Sequence, residues 1–259
     1  MEELFNYLPV FLLVFTRVSS FFVTAPLFSY RTIPVWQRLG IGLILAFILT
    51  PVLGEAVALS IDASFPLLLM KEAVLGIGLG MVAFIIMSAI QIAGGFIDFQ
   101  MGFAIANVID PQTGAQSPLL GQFFNAVAML LLLAVNGHHM ILDGIFYSYQ
   151  FVPIDQLSLA FESNSFAEFS TILLASVFAI AFQMAIPVVA TLFLVDLALG
   201  ITARAVPQMN IFVVGFPIKI TVSFLVLVTM IPVMVTLIRK LFEYMAVSMR
   251  DFMLILGGG

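Results

Sequence analysis

The chain has 259 residues, of which 63% are hydrophobic and 9% charged, and its mean hydropathy is +1.21. Soluble domains carry roughly 45–50% apolar and about 25% charged residues, so no water-facing surface can be built from this sequence. A net charge of −5 with nine scattered Lys and Arg leaves no basic stripe for nucleic acid. The absence of cysteine excludes disulfides, thiolate catalysis and cysteine-based metal sites.

The apolar runs consume nearly all of the length, so one integral membrane domain spanning 1–259 is expected. Glu2 and Glu3 stand where a signal peptide would be basic, and no small-residue cleavage site follows. The first run is therefore expected to be a retained membrane segment. A spanning helix needs about 20 predominantly apolar residues. Six stretches meet that test: Leu8 to Phe28, Leu39 to Leu59, Ala73 to Ile97, Leu119 to Val135, Ile172 to Leu199 and Ile211 to Ile238. The fold class expected is thus all-α, with about six long apolar helices.

The first connection carries Arg31 and Arg38, the second Glu55 and Asp62. A polar loop is expected from Asp98 to Pro118, and a longer acidic one from Asn136 to Ser170. The turn before the last run holds Arg204 and Pro207. Basic loops stay cytoplasmic, so Arg31 and Arg38 put the first loop inside, and the other loops alternate in agreement. The tail breaks the alternation: six spans would leave it outside, yet it carries Arg239, Lys240 and Arg250. The last two runs, about 28 residues or roughly 42 Å each, also exceed a hydrocarbon core near 30 Å. Both features point to helices buried partly in other subunits.

Within the third run, Gly76, Gly78 and Gly80 alternate and Gly94-Gly95 follow. Glycines four apart let helices approach closely where lipid supplies no hydrophobic drive. A nucleotide-binding loop is a poor reading, because no strand precedes them. Beyond the last run, Leu241, Met245, Met249, Phe252 and Leu256 recur every three or four residues opposite Arg239, Lys240, Glu243, Arg250 and Asp251. That is an amphipathic helix, suited to a membrane surface or to docking on a partner.

Three sets of residues carry possible chemistry. His138 to Gly144 spells HHxxxDG, which resembles the active-site motif of a family of acyltransferases in which the second histidine, here His139, is the base. Those enzymes are larger soluble α/β proteins, and the bland reading is a polar cap with Tyr147 and Tyr149 at an interface. A metal site lacks a third ligand, since adjacent histidines leave a helix on different sides. Arg17, Asp196 and Lys219 lie inside apolar runs, where ionisable residues mark functional sites by default. So few charges fit pairing, with each other or with a neighbouring subunit, better than a proton or solute route. The stretch Met101 to Pro118 mixes apolar, small and turn-forming residues, with Asp110-Pro111 opening a turn and Gly114 free in its dihedrals. Such a loop at the junction of two spans is tolerated where it lines a cavity or is buried in protein, and it suits a movable constriction. The 14 Met and 27 Phe fit a hydrophobic gate, but Phe is equally at home facing lipid.

The same stretch, with Asn136-Gly137-His138 and the run Gly200 to Ile220, resembles the FliR family of flagellar type III export-gate membrane proteins. More distantly it resembles the counterparts in virulence secretion systems. The likeness covers essentially the whole chain, and its most specific pieces are Pro207-Gln208-Met209-Asn210 and Phe216-Pro217-Ile218-Lys219. The resemblance implies no catalytic site, no cofactor and no metal. It implies a helical hetero-assembly with FliP-like and FliQ-like subunits, contacted by an FlhB-like subunit, in the bacterial inner membrane at the flagellar basal body. It implies a loop that plugs a channel for unfolded export substrates, with Phe103, Ile105, Asn107, Val108, Ile109, Asp110, Pro111, Gly114 and Pro118 in or beside it. Arg17, Asp196 and Lys219 would then serve subunit pairing, with Pro207, Gln208, Asn210, Phe216 and Pro217 as the family motif. A stand-alone polytopic transporter using the same three charges is the alternative.

Overall fold

A computed structural model describes residues 2–30, 32–54, 62–103, 118–157 and 163–258, and all regular structure among them is α-helical. The helices are α1 (Glu2–Thr24), α2 (Val35–Gly54), α3 (Phe65–Met101), α4 (Leu119–Ala134), α5 (Gly137–Phe151), α6 (Ser163–Ala205) and α7 (Ile211–Gly257). Apolar runs take this form because a helix satisfies its own backbone polar groups without water. Five of the helices are long and apolar enough to cross a membrane, or six crossings if the broken pair α4 and α5 counts as one. The all-α membrane fold is as expected.

The boundaries differ from the sequence reading where charges are satisfied inside the protein. Helix α3 begins before Ala73 and takes in Lys71 and Glu72; it continues past Ile97 through Asp98 and Gln100. The loop expected from Asn136 to Ser170 contains a helix, α5. Its buried residues Gly137, Ile141, Ile145, Ser148 and Tyr149 recur every three or four positions, a pattern shorter than the spanning-length test detects. Asn136 breaks the chain between α4 and α5 with φ +57°, a left-handed conformation that Asn tolerates better than most residues. The amphipathic tail is not separate: it is the last third of the 47-residue α7.

The chain divides into two compact units. The first comprises Met1–Ile86, Asn136–Leu173 and Glu243–Gly259. Its centre is the face of α1 formed by Val10, Leu13, Val14, Val18, Phe21 and Phe22, all fully buried. Gly76 and Gly80 bring α3 against this helix: a Cβ at Gly80 would meet Thr24, Ala25 and the Phe21 carbonyl. The Thr24 hydroxyl donates across the crossing to the Ile77 carbonyl at 3.1 Å. Met245, Met249 and Phe252 of the tail are buried within this unit, Phe252 against Phe166, Phe169 and Gly78. The tail therefore docks on its own chain.

The second unit comprises Met87–Val135 and Leu174–Phe242. Ile90, Ala93, Ile97 and Met101 on α3 and Ala181, Ala185, Val188 and Leu192 on α6 form its core. Three prolines interrupt helices here, each followed four residues on by a threonine whose hydroxyl donates to the proline carbonyl. The pairs are Thr191 to Pro187 (2.7 Å), Thr221 to Pro217 (2.8 Å) and Thr236 to Pro232 (3.0 Å). Proline removes one rung of the helix ladder, and this side-chain bond to the backbone accompanies the bend.

Candidate functional site

Among the described residues, two polar clusters stand out, one in each unit. In the first unit, Arg17 and Glu72 are both fully buried. The guanidinium grips the carboxylate with two parallel bonds, Nε to Oε2 at 2.5 Å and Nη2 to Oε1 at 2.9 Å. Such two-pronged pairs combine charge with fixed geometry. Arg17 also donates to Ser148 Oγ (3.0 Å) and to the Val152 carbonyl (2.9 Å), and its guanidinium carbon stands 4.2 Å from the centre of the Tyr149 ring. Lys71 Nζ lies 2.9 Å from Glu72 Oε1 and donates to the carbonyls of Pro153 (2.8 Å), Ile154 (3.1 Å) and Gln156 (2.8 Å). One anion thus pairs with both cations, and carbonyls of the chain after α5 accept further hydrogen bonds from them. Among the described residues, no buried side-chain polar atom of this cluster lacks a hydrogen-bond partner. Sequence reasoning singled out Arg17 and missed Lys71 and Glu72, which lie just ahead of the apolar run. The available signal was Arg17 itself, since a lone intramembrane cation requires an acid.

In the second unit the polar groups gather where α3 stops and α4 starts. Helix α3 ends in a Schellman motif: Gly102 at φ +90° carries the reversal, its N–H donates to the Phe99 carbonyl (3.1 Å), and the Phe103 N–H donates to the Asp98 carbonyl (3.0 Å). The conformation favours glycine, and the Phe216 ring of α7 packs where a Cβ would stand. Across the gap, Pro118 precedes α4 with no side-chain cap of its own. The cap comes instead from α3: Asp98, 4% exposed, accepts the Leu120 N–H at 3.0 Å through Oδ2. A carboxylate suits this place because the first amides of a helix are unpaired and carry partial positive charge. Gly94 faces the backbone of Leu120 and Gly121, so the two helices touch main chain to main chain. The entry and exit of the segment 104–117 are therefore fastened together.

Beside this root, Asp196 of α6 accepts from Gln100 Nε2 (3.0 Å) and pairs with Lys219 Nζ of α7 (2.5 Å). The pair is partly exposed and borders a cleft of about 360 Å³ lined also by Gly102, Phe212 and Phe216. Asp196 and Lys219 are thus joined to each other, while Arg17 belongs to the other cluster. Pro207 and Gln208 form the turn before α7, and Asn210 caps that helix by accepting the amides of Phe212 (3.1 Å) and Val213 (3.4 Å). Phe216 and Pro217 stand near the start of α7, and the Phe216 ring lies beside Gly102 at the loop root. Of the expected plug residues, Phe103 and Pro118 are at the root. Ile105, Asn107, Val108, Ile109, Asp110, Pro111 and Gly114 lie outside the described residues.

The histidine motif stands at the start of α5. The rings of His138 and His139 lie together, 4.1 Å between centres, where the sequence suggested divergence. Asp143 instead lines a groove with Met140, Gly144 and Arg250. No cluster of three or more His, Asp or Glu that could hold a metal occurs among the described residues.

Residues 8–245 match the family described as bacterial export proteins, family 1. The chain is 50% identical over 257 residues to the flagellar biosynthetic protein FliR of Bacillus subtilis (strain 168), covering 99% of each sequence. It is 29% identical over 243 residues to the flagellar biosynthetic protein FliR of Escherichia coli (strain K12), covering 93% of this chain and 92% of that one. A further relative, at 28% identity over 218 residues and 83% of each chain, is the Yop proteins translocation protein T of Yersinia pestis.

Proposed function

The chain belongs to the bacterial export proteins, family 1, and from that premise we propose that it is a structural and gating subunit of the flagellar type III protein export channel. In this reading it sits in the inner membrane at the basal body, assembled with FliP-like and FliQ-like subunits and contacted by an FlhB-like one. The segment 104–117 closes the channel to small solutes and moves aside for unfolded export substrates. It does this without catalysis or a cofactor, and the energy comes from other components.

The observation that carries the gating role is the fastened root. Asp98 holds the start of α4 to α3 and Gly94 packs on Gly121, so the two helices that carry the segment are fastened to each other near its ends. Assembly is supported by the lengths of α6 and α7, 43 and 47 residues, against about 20 for one crossing. Apolar faces beyond the hydrocarbon core need protein cover. Joined as they are, Asp196 and Lys219 fit cohesion better than transport by the chain alone.

Deleting 107–117 from the chain, in cells or vesicles carrying the whole gate, should raise leakage of small ions severalfold while assembly persists. Unchanged permeability with an intact assembly would contradict the plug.

A further inference from the structure

The second unit is built from two helix hairpins, the end of α3 with α4 and the later part of α6 with α7. Their sequences match where the first helix of each hairpin ends. Ile97-Asp98-Phe99-Gln100-Met101-Gly102-Phe103 stands against Val195-Asp196-Leu197-Ala198-Leu199-Gly200-Ile201, with Asp and Gly recurring four apart among apolar residues. Val108 and Val206 continue the match in register, and Pro111-Gln112 and Pro207-Gln208 follow after a shift of two residues. Leu119-Leu120-Gly121 and Val213-Val214-Gly215 then stand near the start of the second helices. The contacts repeat as well. Each aspartate reaches the second helix of its own hairpin, Asp98 through the Leu120 N–H and Asp196 through the Lys219 ammonium. Gly121 and Gly215 are both buried and face their own first helix, at Gln91 and Leu199.

The two roots also meet. Gln100 of the first hairpin donates to Asp196 of the second. Gly102, Gly200, Ile211 and Phe212 line one cleft, so the end of α3 lies beside the helix ends that flank the α6–α7 turn. We propose that this turn, residues 206–210, borders the same passage as the segment 104–117 and touches the exported polypeptide in transit. This placement rests on the plug reading of that segment: a turn in the matching place, rooted in the same cleft, faces what the segment faces. Two features fit a passing chain of varied sequence. Val206, Pro207, Gln208, Met209 and Asn210 carry no charge, so the turn offers nothing that would hold or repel one sign of side chain. The turn is also braced. The Met209 N–H donates to the Val206 carbonyl (3.1 Å), and Asn210 accepts the amides of Phe212 and Val213 as a helix cap. Val206, Pro207 and Gln208 remain exposed on this firm support.

A photo-reactive amino acid at position 208, in cells carrying the whole gate, would be tested against an export substrate fused at its trailing end to a tightly folded domain, which stalls it in transit. The stalled substrate should be captured at 208, as it should be at 107. Capture at 107 but not at 208 would overturn this inference and leave the plug standing, and capture at neither would overturn both. Capture at 208 alone would uphold the turn and contradict the plug. Cross-linking at 208 to other gate subunits, without substrate, would overturn the turn's place on the path. In a second measurement, Gln208→Cys in the assembled gate should export severalfold more slowly after labelling with a bulky thiol reagent than before it. Equal rates at full labelling would overturn the proposal. Both rates come from one variant, so its folding does not enter the comparison.

Discussion

At the scale of single residues, Arg17 shows the condition under which a charge is kept inside an apolar protein. Every direction around the guanidinium is occupied, by Glu72, Ser148, the Val152 carbonyl or the Tyr149 ring. Lys71 depends on the same carboxylate. Removing the anion leaves two buried cations facing one another, and breaking a buried pair costs about 3–5 kcal/mol. Glu72→Ala should therefore lose most of the stability of the first unit, with Glu72→Gln milder because it keeps an acceptor. Thermal unfolding of the detergent-purified variants measures this. The sequence revealed Arg17 because it interrupts an apolar run. Glu72 was hidden because a charge next to a run reads as its solvated end. Asp98 was hidden for the same reason: its role as a cap for α4 depends on a residue 22 positions away.

Among the elements, helix crossings were the more legible features and helix ends the less. The spacing of Gly76 and Gly80 pointed to a close approach, and the structure supplies its partner, α1. Gly80→Leu should force α1 from α3 and destabilise by about 1–3 kcal/mol or more, as overpacking does. Gly40→Ala and Gly200→Ala, where a Cβ meets nothing within 4 Å, should be neutral or stabilise by up to about 1 kcal/mol. The unfolding midpoints of the three variants test the contrast. Helix α5 escaped the sequence because it is amphipathic and only 15 residues long, below the length that marks a span. The continuity of α7 escaped because Arg239 and Lys240 resemble a membrane boundary. In fact the helix runs through them, and Leu241, Met245 and Met249 are buried beyond.

For the whole molecule, the tail's charge contradicted a count of six ordinary spans. Counting by alternation assumes that each apolar helix crosses once and ends in water. Helices of 37, 43 and 47 residues are longer than the roughly 20 residues of one crossing. Their exposed residues, such as Phe212 and Val213 at 73% and 68% on α7, require lipid or other subunits. Co-expressed with FliP-like and FliQ-like partners, the chain should appear by native mass spectrometry in one hetero-assembly of defined mass; a monomer with the partners washed away would favour a stand-alone transporter. The proposed place of the segment 104–117 in the export path is directly measurable because the sequence has no natural cysteine. Asn107→Cys, placed in the assembled gate and labelled with a bulky thiol reagent, should halt substrate export, while label at the exposed Tyr147→Cys should leave it running. Unimpaired export through a gate fully labelled at position 107 would contradict the account.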